Sequence, residues 1–387
     1  MSDARDRSTI MMFRLLLGGL VALAFAAAAL AAPSGAASSG QRYIVVLKEG
    51  GPSNSGVAAE HARRHGARVE AFFDHALRGY SARIPAHRVA SLSADPQVAY
   101  IEPDLVITAA AQTIPWGIRK IGADGGRIWA ANSGGAVPGL HAYIIDSGID
   151  PSHRDLNVVE HVNFAGGPKR DCNGHGTHIA GIIGAEDNRR DVVGVVPGIQ
   201  LHGVKVVGCG GSGSLSDVIQ GIDWVTANAR KPAVANISLV GGPSRSLDDA
   251  VRRSVASGII YSVAAGNGGE EACASSPARA GAGTDGIVTV AVTDSEDREA
   301  SWSNYGACVD LWAPGVRVRS TGMGGGTAIL SGSSMAAPHV AGGAARYLSP
   351  RPGADPASVE AALKAAAQAP GTKSKDGRPV RRQYVRF

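Results

Sequence analysis

Residues 141–150 read HAYIIDSGID, and this stretch decides how the chain folds. Ala142, Tyr143, Ile144 and Ile145 run apolar with no polar alternation, then stop at Asp146, Ser147 and Gly148. A continuous apolar strand that ends in a turn marks a sheet buried on both faces. Working outward, residues 173–184 (NGHGTHIAGIIG) open a helix and residues 201–207 (LHGVKVV) form a strand. Residues 214–229 predict a helix, 233–239 a strand, and 246–258 a helix with Ser246 as its N-cap and acids in its first turn. Residues 259–266 (IIYSVAAG) and 287–293 (IVTVAVT) are strands, and 333–348 and 355–368 are helices. Short apolar strands alternating with helices give an α/β class: a parallel, doubly wound sheet with helices on both faces. Such sheets form their sites at the carboxyl ends of strands.

The N-terminal third reads differently. Basic residues in 1–14 precede an apolar run over 15–32, and Ala29 and Ala31 fit a small-residue cleavage site. We read 1–32 as a secretory signal peptide rather than a stable membrane anchor, because the run is about 18 residues, small-residue rich, and at the lower limit for spanning. Export places the protein outside the cell. Residues 33–41 (PSGAASSGQ) are a linker. Residues 42–108 show the order β-α-β-β-α-β, a small α+β split-βαβ (ferredoxin-like) module. Residues 105–115 have no strong pattern of their own, and 109–387 form the large domain.

The net charge is +5, and much of the excess lies in the last residues, KSKDGRPVRRQYVRF. These charges alternate with apolar residues, so the segment reads as a solvated terminus or terminal strand, not a nucleic-acid or membrane patch. Four cysteines, Cys172, Cys209, Cys273 and Cys308, suit an exported chain with two disulfides in any of three pairings. No C-x-x-C spacing points to zinc.

Three polar residues occupy the places where such a sheet builds sites. Asp146 ends a strand, His175 lies between Gly174 and Gly176 at a helix start, and Ser334 begins another helix. A serine hydroxyl is a weak nucleophile and needs a base within hydrogen-bond reach. Histidine is that base, and a buried carboxylate fixes its tautomer. A helix N-terminus favours developing negative charge. A lipase or esterase would need G-x-S-x-G and the order Ser, Asp, His. Here Ala336 stands where that glycine would be, and the order is Asp, His, Ser.

The segments IIDSGID, NGHGTHIAG and SGSSMAAPHVAG resemble the three signatures of subtilisin-like serine peptidases. GSGSLSDVIQGIDWV, NISLVGG, SVAAGN and WSNYGACVDLWAPG lie in the order of the proteinase K and aqualysin branch. The resemblance covers about 115–348, and 42–107 resembles the family's inhibitory propeptide. It implies a monomeric secreted endopeptidase acting on proteins and peptides, with its own propeptide as intramolecular inhibitor and no cofactor in the chemistry. By the same resemblance Asp146, His175 and Ser334 form the triad, and Asn267 donates to the oxyanion. Gly211, Ser212, Gly213, Ser238, Leu239, Val240, Gly241, Ala264 and Gly266 would bind substrate. Cys172 would pair with Cys209 and Cys273 with Cys308, each closing a loop of about 36 residues worth about 4 kcal/mol in a chain-entropy treatment. Asp310 matches a ligand of a structural calcium. Two departures stand out: Ser333 replaces the usual threonine, and Val240 replaces a glycine beside the primary specificity pocket. Aligning Pro115-Trp116-Gly117 sets a maturation cut between about Thr108 and Gln112.

Overall fold

The computed structural model describes residues 40–109, 116–123, 139–188 and 191–386. The signal-like segment, most of the linker and residues 110–112 of the maturation window lie outside the described residues.

The N-terminal module is built from β1 (Gln41–Leu47), α1 (Asn54–His65), β2 (Arg68–Phe73), β3 (Gly79–Ile84), α2 (Ala86–Ser93) and β4 (Val98–Pro103). Its antiparallel sheet has the order β2-β3-β1-β4. Alternation along β1 serves two cores at once. Val45 and Leu47 pack with Val57, Tyr80, Ile84 and Leu92 under the module's own helices. Ile44 and Val46 face the other way and join Phe73, Ala76 and Leu77 against apolar residues of the large domain. The helix α1 begins at Ser53, whose hydroxyl accepts from Gly56 N at 3.3 Å, and ends on Gly66 at φ +67°, a left-handed cap that glycine adopts without steric cost.

Beyond a short helix α3 (Gly117–Lys120), the large domain is organised by a seven-stranded sheet. Its strands are β6 (His141–Asp146), β7 (Val158–Asn163), β8 (Gln200–Lys205), β10 (Ala233–Ile237), β12 (Ile260–Ala264), β13 (Ile287–Thr293) and β14 (Leu311–Pro314). The order is β14-β13-β12-β10-β6-β8-β7, and every pairing is parallel. Residues of one strand alternate between two cores, as the apolar runs require. Ala142 and Ile144 pack under α4 (His175–Gly184), α7 (Ser333–Leu348) and α8 (Pro356–Ala366). Tyr143 and Ile145 pack under α5 (Leu215–Asn228) and α6 (Arg245–Ala256). The chain passes from β6 through β7 and β8 on one side, then crosses to β10 on the other, so the switch point lies at the ends of β6 and β10.

Three short strands and a hairpin escape the sequence reading. β5 (Val106–Ala109) lies between β9 (Ser212–Ser214) and β11 (Leu239–Val240) in a separate antiparallel sheet. β15 (Val318–Thr321) and β16 (Thr327–Leu330) pair with each other. The expected N-cap Ser246 is also corrected. The cap is Ser244, whose hydroxyl accepts from Leu247 N at 3.1 Å, and Ser246 is already helical. The basic C-terminus is no solvated tail: Arg382 bridges Trp312 of β14 in parallel, as a terminal strand would. Gln383 is buried and donates from its backbone to Trp312 O at 2.8 Å, while Val385 N reaches Ile121 O at 2.9 Å.

The N-terminal module docks through carboxylates placed on helix starts. Glu102 accepts from Arg245 N at 3.0 Å and Ser246 N at 3.1 Å, opening α6. Asp104 accepts from Ser216 N at 2.7 Å, opening α5. Helix N-termini carry unpaired N–H groups and partial positive charge, so both contacts are charge-assisted.

Candidate active site

Asp146 is the last residue of β6 and is fully buried. Its Oδ1 accepts from Ser147 N at 2.7 Å and from His175 Nδ1 at 2.8 Å. Its Oδ2 has no partner among the described residues. His175 opens α4 behind Gly174, which sits at φ +100°. Gly176 is required by contact rather than dihedral, since a Cβ there would lie 2.1 Å from Gly148 O. The close approach holds the turn after Asp146 against the first turn of α4.

Ser334 is the second residue of α7, next to the helix start at Gly332. Its Oγ donates to Ser238 O at 3.0 Å, and Ser238 Oγ donates to Ser334 O at 2.8 Å. The helix α7 packs against α4, which brings Ser334 to the histidine's side of the sheet. Ser333 accepts from Gly266 N at 3.1 Å through its hydroxyl and donates from its N–H to Asn267 Oδ1 at 2.8 Å. That bond leaves Asn267 Nδ2 buried and without an acceptor among the described residues. Asn304, which the sequence reading misses, pins the same turn. It donates to Ala265 O at 3.0 Å and accepts from Gly268 N at 2.8 Å, and Gly266 at φ +110° leaves it room.

The segments expected to bind substrate flank β5. Thr108 pairs with Val240 and Ser212, Ala109 with Leu239, Ile107 with Gly213, and Val106 with Ser214. Gly211 and Gly241 are used otherwise. Gly211 closes a turn through its N–H to Gly208 O at 3.0 Å, and Gly241 bridges Ser276. Ala264 ends β12 beside the Asn267 turn. A cleft of about 480 Å³ opens beside His175, lined by Asn173, Gly174, Met323, Thr327 and Leu330.

The neighbouring histidines are kept neutral. Burial lowers His178 to about 3 and His339 to about 4. His339 Nδ1 donates to Met335 O at 2.8 Å inside its own helix. The disulfides join Cys172 to Cys209 and Cys273 to Cys308, with Cα separations of 4.9 and 5.3 Å. The first ties the loop before His175 to the loop after β8, and Asn173 Nδ2 reinforces it by donating to Cys209 O at 3.2 Å.

Asp310 requires a correction. Its Oδ1 lies 2.6 Å from the Lys364 ammonium and its Oδ2 accepts from Thr289 N at 2.9 Å. Calcium takes six to eight oxygens, and here the Lys364 ammonium already pairs with this carboxylate and with that of Glu360. The residues present do not fit a calcium ion at that place. Among the described residues, no group of three or more His, Cys, Asp or Glu could hold a metal. No helix of the described residues is long and apolar enough to cross a membrane.

Comparison with known proteins follows the same lines. The profile of the subtilase family matches residues 142–383, and that of the peptidase inhibitor I9 family matches residues 42–110. An extracellular serine proteinase of Thermus sp. (strain Rt41A) is 42% identical over 355 residues, covering 83% of each chain. An alkaline serine exoprotease A of Vibrio alginolyticus is 42% identical over 310 residues, covering 76% of this chain and 56% of that one. The crystal structure of a cold adapted subtilisin-like serine proteinase superposes with a TM-score of 0.60 at 41% identity, covering 64% of this chain and 89% of the other.

Proposed function

The chain belongs to the subtilase family of serine proteinases, and on that premise we propose that it is a secreted, self-processing endopeptidase whose nucleophile is Ser334. His175 takes the Ser334 proton as the hydroxyl attacks the scissile carbonyl. Asp146 holds the imidazole with Nδ1 protonated and stabilises the imidazolium. His175 then protonates the leaving amine, and water hydrolyses the acyl-enzyme through the same base. The oxyanion is met by Asn267 Nδ2 and by the Ser334 backbone N–H at the start of α7.

The observation that carries this reading is Asn267 Nδ2. A buried donor without an acceptor is rare and costly in a folded protein. Here it lies beside the helix-start serine, where a tetrahedral oxygen would accept from it.

Residues 42–108 serve as the propeptide. The strand β5 at their C-terminal end occupies the cleft between β9 and β11 as an extended peptide substrate would, adding a strand to two exposed edges. The same domain boundaries give a signal peptide at 1–32, a linker at 33–41 and a monomeric peptidase domain at 109–387, with the maturation cut between about Thr108 and Gln112. Val240 narrows the primary specificity pocket toward small and medium apolar residues.

The decisive experiment is covalent labelling with a fluorophosphonate. Wild type is expected to label at Ser334, and Ser334→Ala to remain unlabelled and accumulate as uncut precursor. A Ser334→Ala protein that matures in pure form would refute self-processing. Absence of label on correctly folded, processed wild type would refute the nucleophile assignment.

A further inference from the structure

Ser147 follows the triad carboxylate and is gripped on three sides. Its N–H donates to Asp146 Oδ1 at 2.7 Å. Its hydroxyl donates to Asp171 Oδ1 at 2.9 Å and accepts from Gly176 N at 2.9 Å. Its carbonyl accepts from Lys205 Nζ at 2.8 Å. Asp171 and Lys205 are both buried, at 3% and 0% exposure, and neither takes part in the mechanism above.

Asp171 makes further contacts around His175. Its Oδ1 also accepts from Asn173 N and Gly174 N, each at 2.9 Å. Its Oδ2 accepts from Thr177 N at 2.9 Å and Thr177 Oγ1 at 2.5 Å. One carboxylate therefore fixes the backbone on both sides of His175 and, through Ser147, the strand end that carries Asp146. Lys205, on β8, spans Ser147 O and Val207 O at 3.0 Å, with the sulfur of Cys172 at 3.4 Å.

We propose that Asp171 and Lys205 are positioning residues for the proteolytic reaction: they clamp Ser147 through its hydroxyl and its carbonyl, set the Asp146–His175 geometry, and fix the charge that His175 feels. Two buried carboxylates and one ammonium leave the cluster one negative charge in excess. When His175 takes the proton from Ser334, the cluster becomes neutral. Other titratable groups facing this region are His161 on β7, His178 on α4 and His339 on α7. His161 accepts from Ile149 N at 3.1 Å through Nε2, and burial keeps all three neutral near pH 7. Lys169, at the surface, is the remaining charge that His161 senses.

This inference rests on the triad reading, and one set of assays separates the two. Asp171→Asn, Lys205→Met and Ser147→Ala would be prepared as mature enzymes. Each would be titrated with fluorophosphonate to count active sites and assayed on a peptide nitroanilide from pH 5 to 10. Asp171→Asn removes a negative charge, disfavours the imidazolium, and is expected to move the acid limb of kcat/KM down by about one pH unit. Lys205→Met is expected to move it up by a similar amount. Ser147→Ala removes no charge and should leave the limb in place. All three should lower kcat per labelled site by about tenfold to a hundredfold with KM within about twofold. The small Ser147→Ala change keeps the kcat prediction testable if a charge variant fails to fold. The clamp is refuted if kcat per labelled site and the acid limbs match wild type. If wild type itself does not label at Ser334, the triad reading fails first.

Discussion

In the proposed mechanism Asn267 divides its amide between structure and chemistry. Ser333 N–H holds its Oδ1, and Ser333 Oγ holds the adjacent Gly266 N, so the side chain cannot turn over without breaking a bond. The cost is a buried Nδ2 with no acceptor among the described residues, of the order of 1–3 kcal/mol. Asn267→Ala removes that cost but also the Ser333 N–H bond to Oδ1, so the melting temperature of the enzyme free of inhibitor should change little. The substitution should also cut kcat by about 10²–10³ with KM nearly constant, the size known for such a donor in this family. A fall in KM-limited binding alone would remove Asn267 from the oxyanion site. Val240 makes a second prediction at this scale. It pairs with Thr108 and packs on the large core, where its branched side chain takes space a glycine would leave open. Val240→Gly should raise kcat/KM for Phe and Tyr substrates relative to Ala or Val by about tenfold, the worth of a few methylenes in an apolar pocket. Equal profiles in peptide-library cleavage would show that the pocket wall lies elsewhere.

At the scale of elements, β5 carries most of the new information. Its register sets Thr108 opposite Val240 and Ala109 opposite Leu239, which leaves Ser238 as the next partner. Ser238 O is the group that accepts from Ser334 Oγ at 3.0 Å. If the proposed self-processing uses this register, one residue further along the chain predicts a cut after Ala110. N-terminal sequencing of the mature enzyme should then begin at Ala111, and a start two or more residues away would break the register argument. Long elements were legible because their apolar periodicity is local: residues 333–348 read as a helix, and α7 spans that interval. The strands β5, β9 and β11 have two to four residues each and no pattern, because their partners lie far along the chain. The same reason hides Asn304, Asp171 and Lys205, whose roles appear only once distant backbone groups come together. Asp310 misled for a related reason, since the lysine that meets it comes from α8, more than fifty residues later.

The whole molecule stores acid sensitivity in its buried histidines. His161, His202 and His339 are held at about 4 and His178 at about 3, each chiefly by burial. An unfolded histidine titrates near 6.5, so below that pH the unfolded chain binds protons that the folded chain refuses. A lowered folded pKa gives stability that is complete above the unfolded value and is lost as pH falls toward the folded one. Four such groups, each worth about 1.4 kcal/mol per pH unit, predict a loss approaching 5 kcal/mol per unit between about pH 6 and pH 4. That is comparable with the total stability of a typical domain, about 5–15 kcal/mol. Asp248, Asp310 and Glu360 oppose the trend, since burial raises them and their protonation favours the folded state. Their effect is confined to the range just above ordinary carboxylate values, so the histidine slope is cleanest from pH 6.5 to 5. Melting curves of the fluorophosphonate-inhibited mature enzyme across that interval should show proton uptake on unfolding that rises from about two at pH 6.5 to about three to four at pH 5. A flat stability profile from pH 6.5 to 5 would mean that these histidines are already charged in the fold or find acceptors there. Substitution of single residues, His202→Gln first because its partners His141 and Glu160 are polar, would identify which of them sets the slope.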